Sequence, residues 1–212
     1  MNNFIISVDG PAGSGKERIS KYIAKKYNFF HLDSGILYRR FTKIILEKKI
    51  NLKKNSELAK LIKNISSLSA KNHKTLRTEN ISKFSSIIAS KLIVRKFINE
   101  QQKIIIKKAL KTYKGAVIDG RDIGSKVFKD ANIKLFITVS AEIRAKRRHK
   151  QLLQLGEKSI YAQILRGIKL RDYKDKNRKE SPLIMHKEAI LIDNSNSFTK
   201  TIRKINAILA KV

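Results

Sequence analysis

The chain has 212 residues, with 48 Lys and Arg against 17 Asp and Glu, for a formal net charge of +31. At 42% hydrophobic residues it can bury one sizeable core with small inserts, which excludes a disordered basic tail and two large domains. No Cys is present, so disulfides, thiolate metal sites and cysteine nucleophiles are excluded. His31, His73, His149 and His186 lack metal-ligand spacing and read as incidental.

Phe4-Ile5-Ile6-Ser7-Val8 is a short apolar run stopped by a Gly-rich turn, as a buried parallel strand is. Helical spacing follows at Ile19, Tyr22, Ile23 and Tyr27. Phe29 to Leu32 reads as a second strand, ended by Asp33-Ser34-Gly35. From Gly35 to about Leu110 the pattern is almost wholly helical, with polar breaks near Asn51–Asn55 and Lys71–Lys74. Strands return at Ala116–Ile118 and Ile133–Val139. A helical region from Ala141 to about Asp175 breaks near Gly156, and a last strand at Ala189–Ile192 precedes a C-terminal amphipathic helix. Short strands alternating with helices predict an α/β fold, a five-stranded parallel sheet with helices on both faces. The stretch between the second and third strands is too long for a simple crossover and predicts a helical insert.

Lys recurs along nearly every helical segment, as at Lys21, Lys25, Lys26, Lys43, Lys48 and Lys49. That spread fits solvated helix faces better than a dedicated nucleic-acid stripe, although a charge of +31 allows non-specific polyanion binding. No apolar run approaches a membrane span, and the N-terminus enters a motif too early for a signal peptide, so a cytoplasmic protein is expected.

The motif is Gly10-Pro11-Ala12-Gly13-Ser14-Gly15-Lys16, a G-x-x-x-x-G-K loop set between strand and helix. Its glycines let backbone N–H groups turn toward phosphate oxygens at a helix N-terminus, and Lys16 reaches the β- and γ-phosphates. The next position should carry a Ser or Thr hydroxyl for Mg²⁺, but here it is Glu17, followed by Arg18. The Glu17 carboxylate either takes over as an oxygen ligand or weakens the site by repelling the triphosphate. Asp119, ending the third strand, is a further candidate for the Mg²⁺ shell, with Asp9 and Asp122 competing. Arg and Asp recur just after strands or along helices in Asp33-Ser34-Gly35, Tyr38-Arg39, Leu76-Arg77-Thr78-Glu79, Gly120-Arg121-Asp122-Ile123-Gly124 and Arg171-x-x-x-Asp175-x-x-Arg178. Open parallel sheets place their ligand crevice there, and guanidinium groups grip phosphate bidentately. A second phosphorylated substrate beside the triphosphate loop is therefore expected.

These ordered segments resemble the bacterial cytidylate kinases, nucleoside monophosphate kinases that phosphorylate CMP and dCMP with ATP. The similarity runs from Ile5 to the C-terminus. It is most specific in Val8–Lys16, Leu32–Arg39, Gly120–Gly124 and Arg171–Leu183. The resemblance implies one P-loop NTPase-type domain: a core at 1–35, 111–150 and 165–212, a monophosphate-binding insert at about 36–110, and a short lid at about 151–164. It implies ATP with Mg²⁺, a monomer, and ATP bound by the loop from Gly10 through Lys16 and on to Glu17 and Arg18. Carried over by position, Ser34, Tyr38 and Arg39 sit by the acceptor, and Ser86 and Arg95 fall where the family reads cytosine. Arg121 and Asp122 lie between acceptor phosphate and sugar or metal. Arg171 and Arg178 clamp the transferring phosphate, Asp175 holds the sugar hydroxyls, and Arg144, Arg147 and Arg148 form the lid-side helix that meets ATP. Lys16, Arg121, Arg171 and Arg178 are the implied catalytic set. The chain departs from the family at Glu17-Arg18 and in a shortened segment between Tyr38 and Arg77, reduced to Asn72-His73-Lys74-Thr75 before the Arg-Thr-Glu sequence. Two other readings stay open: a P-loop protein that binds nucleotides or RNA with weak or no transfer because of Glu17, and a kinase for another acceptor such as UMP or AMP.

Overall fold

The computed structural model describes residues 4–71 and 73–210, with the backbone alone at 74, 77 and 79. The N-terminal apolar run forms β1 (Phe4–Asp9), and further strands are β2 (Phe30–Asp33), β3 (Gly115–Gly120), β4 (Ile133–Thr138) and β5 (Ile190–Asp193). They pair in parallel in the order β2-β3-β1-β4-β5. Parallel neighbours cannot be joined by tight hairpins, so the connections carry helices. After β1 comes α1 (Lys16–Tyr27). Between β2 and β3 lie α2 (Ser34–Glu47), α3 (Asn55–Lys63), α4 (Glu79–Ile88) and α5 (Leu92–Ala109). The step from β3 to β4 holds only a π-helical turn over Ile123–Val127. Then α6 (Ala141–Gln154) and α7 (Tyr161–Asn177) join β4 to β5, and α8 (Phe198–Leu209) follows. Of the short connection expected at 72–75, Asn72 lies outside the described residues, and a 3-10 turn covers Lys74–Arg77.

The strand pleat divides the core in two. Ala116 and Ile118 of β3 pack with Leu37, Phe41 and Ile45 of α2 and Ile98 of α5. Val117, between them, faces the other way and packs with Ile19 and Ile23 of α1 and Ile202 and Ile205 of α8. Helix starts follow their capping chemistry. Asp33 accepts from Gly35 N at 2.9 Å at the head of α2, Thr78 caps α4, Ser140 caps α6 and Ser197 caps α8.

α1 begins differently. Its cap is Gly15 at φ +85°, a left-handed conformation, and any Cβ there would collide with the Asn194 amide. The motif thus turns sharply and lets the loop after β5 close directly onto it. All strand ends at this edge carry polar residues: Asp9, Asp33, Asp119, Ser140 and Asn194 lie at or just beyond them. β1 is flanked by β3 on one side and β4 on the other, with β2 displaced beyond β3. Loops on either side of β1 therefore diverge and open a crevice at the carboxyl edge.

α2 and α5 bring residues from distant parts of the chain to that crevice, and Phe41 joins them. It has no exposed surface, and its ring centroid lies 5.2 Å from that of Phe97. Phe41→Ala is expected to lower the unfolding free energy by about 3–5 kcal/mol, the usual cost of emptying an aromatic core position. Urea denaturation checks this; a loss below ~1 kcal/mol would show that α2 is not anchored through this ring.

Candidate active site

The phosphate loop connects β1 to α1. Lys16 is the first residue of α1, and its ammonium donates to Pro11 O at 3.2 Å. Burial, then the nearby Arg121 and Arg171, pull its pKa down to about 7 against the partial help of Asp119 and Asp33. An ammonium so placed gains strongly from an incoming polyanion. Ser14 Oγ is buried beside it and makes no hydrogen bond among the described residues.

Two contacts hold the loop from outside, and a third braces one of them. Asn194 donates its side-chain amide to Ser14 O at 2.8 Å and accepts from Thr201 Oγ1 at 2.9 Å. Arg147 donates to the carbonyls of Asn194, Ser195 and Asn196 at 2.8, 3.2 and 3.3 Å, so it braces the loop after β5 that carries Asn194. Arg144, read from sequence as facing ATP, is instead buried in the joint between α6 and the phosphate loop, donating to Ala12 O at 3.0 Å. Arg148 lies at the surface with Gln151 at 2.9 Å and is not brought to the loop. Arg18 stacks its guanidinium 3.7 Å above the Phe198 ring.

Carboxylates gather beside Lys16. Asp33 and Asp119 are register partners at the ends of β2 and β3. Burial, then Asp119 and Glu17, push the Asp33 carboxyl above its ordinary range. Glu17 also accepts from Lys21 at 2.7 Å along α1. Asp119 meets His31 Nε2 at 2.7 Å. His31 is therefore not incidental: it sits on the same face of β2, two residues from the position paired with Asp119. Asp9, a competing metal candidate, spends both oxygens on the N–H groups of Ile123 and Gly124, at 2.9 and 2.8 Å. Burial pushes its carboxyl up to about 6 even so, and its role is to clamp the turn after β3. Asp122 is ion-paired with the Arg95 guanidinium.

A crowded, mutually repelling set of hard oxygen donors fits a divalent cation. Among the described residues no three His, Asp or Glu form a ready metal cage. Mg²⁺ is usually held by one or two carboxylates together with phosphate oxygens and water, so Asp119 with one neighbour, Asp33 or Glu17, fits that ion.

Opposite the loop lies a cationic crevice. Arg95 of α5, besides pairing with Asp122, donates to Ala89 O at 2.9 Å and lies 5.7 Å from the Tyr38 ring centroid. Arg121 Nε donates to Asp175 of α7 at 2.9 Å, and Arg178 lies 3.7 Å from the same carboxylate. Burial alone would raise the Asp175 carboxyl, but Arg121 and Arg178 hold it below the ordinary range. Burial and then Arg121 bring the Arg171 guanidinium down to about 10. Burial takes the Tyr38 phenol up to about 12. Arg39 donates to Leu76 O at 3.1 Å and Ser82 Oγ at 2.8 Å, tying α2 to the segment before α4. Ser34 is buried at the start of α2, its hydroxyl against Gly120, and Ser86 is half-buried on α4.

Sequence reasoning passed over Asn194, His31 and the structural use of Asp9. A polar residue just past a strand end marked Asn194 and Asp9, but nothing local distinguished a clamp from a ligand. A nucleotide polyphosphate bound at pH 8 should restore the charge of Lys16, whose pKa of about 7 leaves it mostly neutral there. Binding of ADP measured calorimetrically in buffers of different ionisation enthalpy should show proton uptake at pH 8. That uptake should shrink toward pH 6, where Lys16 is already charged, and be lost in Lys16→Met. Buffer-independent heats at pH 8 would contradict it.

Residues 6–212 match the family model for cytidylate kinase. The chain is 39% identical over 225 aligned positions to a cytidylate kinase of Fusobacterium nucleatum, covering 100% of this chain and 98% of that protein. It is 38% identical over 192 positions to one of Rhizobium meliloti, covering 91% of this chain and 88% of the relative. Among solved structures, one from Thermus thermophilus aligns with a TM-score of 0.52 at 15% identity, covering 100% of this chain and 99% of that one, a likeness of fold alone. With the phosphate loop, the crevice facing it and a match over nearly the whole length, the chain belongs to the cytidylate kinase family.

Proposed function

We propose that the chain transfers the γ-phosphoryl group of ATP to CMP, giving ADP and CDP. One observation in the molecule carries this reading. Tyr38 Oη, Arg95 Nε, Arg171 Nε and Arg178 Nη2 are buried and make no hydrogen bond among the described residues. Buried donors normally find partners, and three of these four sit on guanidinium groups of the cationic crevice. A phosphorylated acceptor would supply what they lack.

The CMP phosphate is itself the nucleophile and is largely a dianion near neutral pH, its second pKa being ~6. No strong general base is required. One of its oxygens forms a bond to the γ-phosphorus as the bond from that phosphorus to the β,γ-bridging oxygen breaks, and ADP leaves with that electron pair. Catalysis is then positioning and charge neutralisation. Lys16 follows the donor phosphates, while Arg121, Arg171 and Arg178 balance charge on the group in flight. Asp119, with Glu17 or Asp33 beside it, would hold Mg²⁺, which would supply further charge neutralisation. The Arg95–Asp122 pair, with Ser86, presents donors and an acceptor for the cytosine edge, Asp175 faces the sugar hydroxyls, and Ser34, Tyr38 and Arg39 line the acceptor side. Arg147 and Arg18 would border the donor nucleotide.

In this reading 1–35, 111–150 and 165–212 are the core, about 36–110 the acceptor-binding insert, and about 151–164 a lid over ATP. The working protein is a cytoplasmic monomer that accepts dCMP as well as CMP. Among the described residues no helix is long and apolar enough to cross a membrane.

ADP formation with ATP, Mg²⁺ and each of CMP, dCMP, UMP and AMP tests the proposal. Turnover with the cytidine nucleotides at least tenfold above the others is expected, since a site built to hydrogen-bond one base edge leaves buried groups unpaired with another. Equal rates with all four, or none with CMP, would overturn it. Glu17 places a carboxylate near Asp33 and the triphosphate, so Glu17→Ser should raise turnover about three- to tenfold, the size of one partly screened like-charge contact. It should also shift the Mg²⁺ dependence; unchanged turnover and unchanged Mg²⁺ dependence would show that Glu17 is neutral in the chemistry.

A further inference from the structure

Arg171 is held where its own electrostatics oppose it. It is half-buried against Arg121, with Arg39 also close; Asp175 and Asp172 offset only part of this, and its Nε has no partner among the described residues. A flexible cation so placed would swing away unless its helix were fixed. The far end of α7 is anchored: Asp175 pairs with Arg121, and Leu183 N returns to Asp175 O at 2.8 Å. On the turn that carries Arg171 the anchor is Asp172, whose two oxygens accept from both terminal nitrogens of Arg144.

Arg144 is 4% exposed and belongs to no other face of the molecule. Its Nε donates to Val139 O at 3.0 Å and Ser140 O at 3.3 Å, where β4 runs into α6. Its Nη1 donates to Ala12 O at 3.0 Å and Asp172 Oδ1 at 3.0 Å. Its stem flanks Gly13 of the phosphate loop. One guanidinium thus touches the donor loop, the end of the central sheet and the helix bearing Arg171. A planar fork can do this where a lysine ammonium cannot.

We propose that Arg144 and Asp172 are positioning residues that hold Arg171 over the phosphoryl group in transfer by fixing α7 to the phosphate loop. The inference rests on the kinase reading given above. Neither residue reaches the reacting atoms; the pair transmits the loop's position to Arg171. A second ion pair between the same helices, Lys169–Glu142 at 3.0 Å, is exposed on both sides and gives a control of the same topology without that connection.

The test is a double-mutant cycle with an independent spectroscopic readout. Asp172→Asn keeps one acceptor for Arg144 but removes the charge and the bidentate geometry. Its kcat for CDP formation should fall roughly 10–100-fold, with KM for ATP changed less than about twofold, since small displacements of catalytic groups carry losses of this size. In the Arg171→Gln background the same substitution should cost nothing further, because it acts only through Arg171. Glu142→Gln should leave kcat unchanged. In ¹⁵N spectra of the free protein, the Arg171 Nε–Hε signal, identified by its loss in Arg171→Gln, should move or broaden in Asp172→Asn but not in Glu142→Gln. Losses from Arg171→Gln and Asp172→Asn that multiply, or an Arg171 signal unmoved by Asp172→Asn, would overturn the proposal. If Asp172→Asn does not fold, Arg144→Lys takes its place in the same cycle. If the wild-type protein makes no CDP, the kinase reading fails, and the spectra alone decide whether the pair positions Arg171.

Discussion

Lys16, Arg171 and Arg178 are each half-buried next to other cations, and the rest of the site is arranged around keeping them there. Burial opposes the charged form of every one, and like-charged neighbours add to that opposition. Flexible side chains would relieve the conflict by turning into water. Carboxylates offset part of this conflict: Asp119 and Asp33 on Lys16, Asp175 and Asp172 on Arg171, and Asp175 on Arg178, while Asp122, Asp175 and Asp172 pair with the neighbouring Arg95, Arg121 and Arg144. The result is a crevice with unspent positive charge, which an incoming phosphate relieves. Electrostatic preorganisation of this kind needs no rearrangement at the moment of reaction.

The architecture explains how so many charges reach one place. α2 and α5 lie between β2 and β3, α7 lies between β4 and β5, and the phosphate loop follows β1. A parallel sheet delivers every loop after a strand to the same edge, and the strand order turns neighbouring loops apart at β1. Residues of α2, α4 and α5 can then line a crevice that faces a phosphate loop far from them in sequence. The apolar faces of those helices, through Leu37, Phe41, Ile45 and Ile98, are what fix the distance between the two halves.

Glu17 marks the point where this chain departs from the usual loop chemistry. Its carboxylate is engaged by Lys21 at the surface of α1 while still raising Asp33. Asp119 is meanwhile held by His31. The polar edge of β2 and β3 therefore gathers Asp33, Asp119 and His31 close to Glu17, so a change at position 17 acts on a cluster rather than on one carboxylate.

Much of this was legible from residue order. All five strands, the helical insert, the break near Gly156 and the Gly10–Lys16 loop follow from hydrophobic period and from glycine at a strand-to-helix turn, both of which are local properties of the chain. The candidate Arg and Asp residues of the acceptor side could also be named, because each falls at a strand end or within an ordered motif. What the chain order could not supply was which of them pair. His31 meets Asp119 only through the β2–β3 register, Asp9 is spent on the turn at Ile123 and Gly124, and Arg144 turns inward to Ala12 and Asp172 instead of outward to a nucleotide. Period and motif are set within a few residues of one another, whereas an ion pair is set by two backbones that meet only after the sheet has formed. Identity of the groups belonged to the sequence; their partners, and so which charges remain free to act, belonged to the tertiary structure.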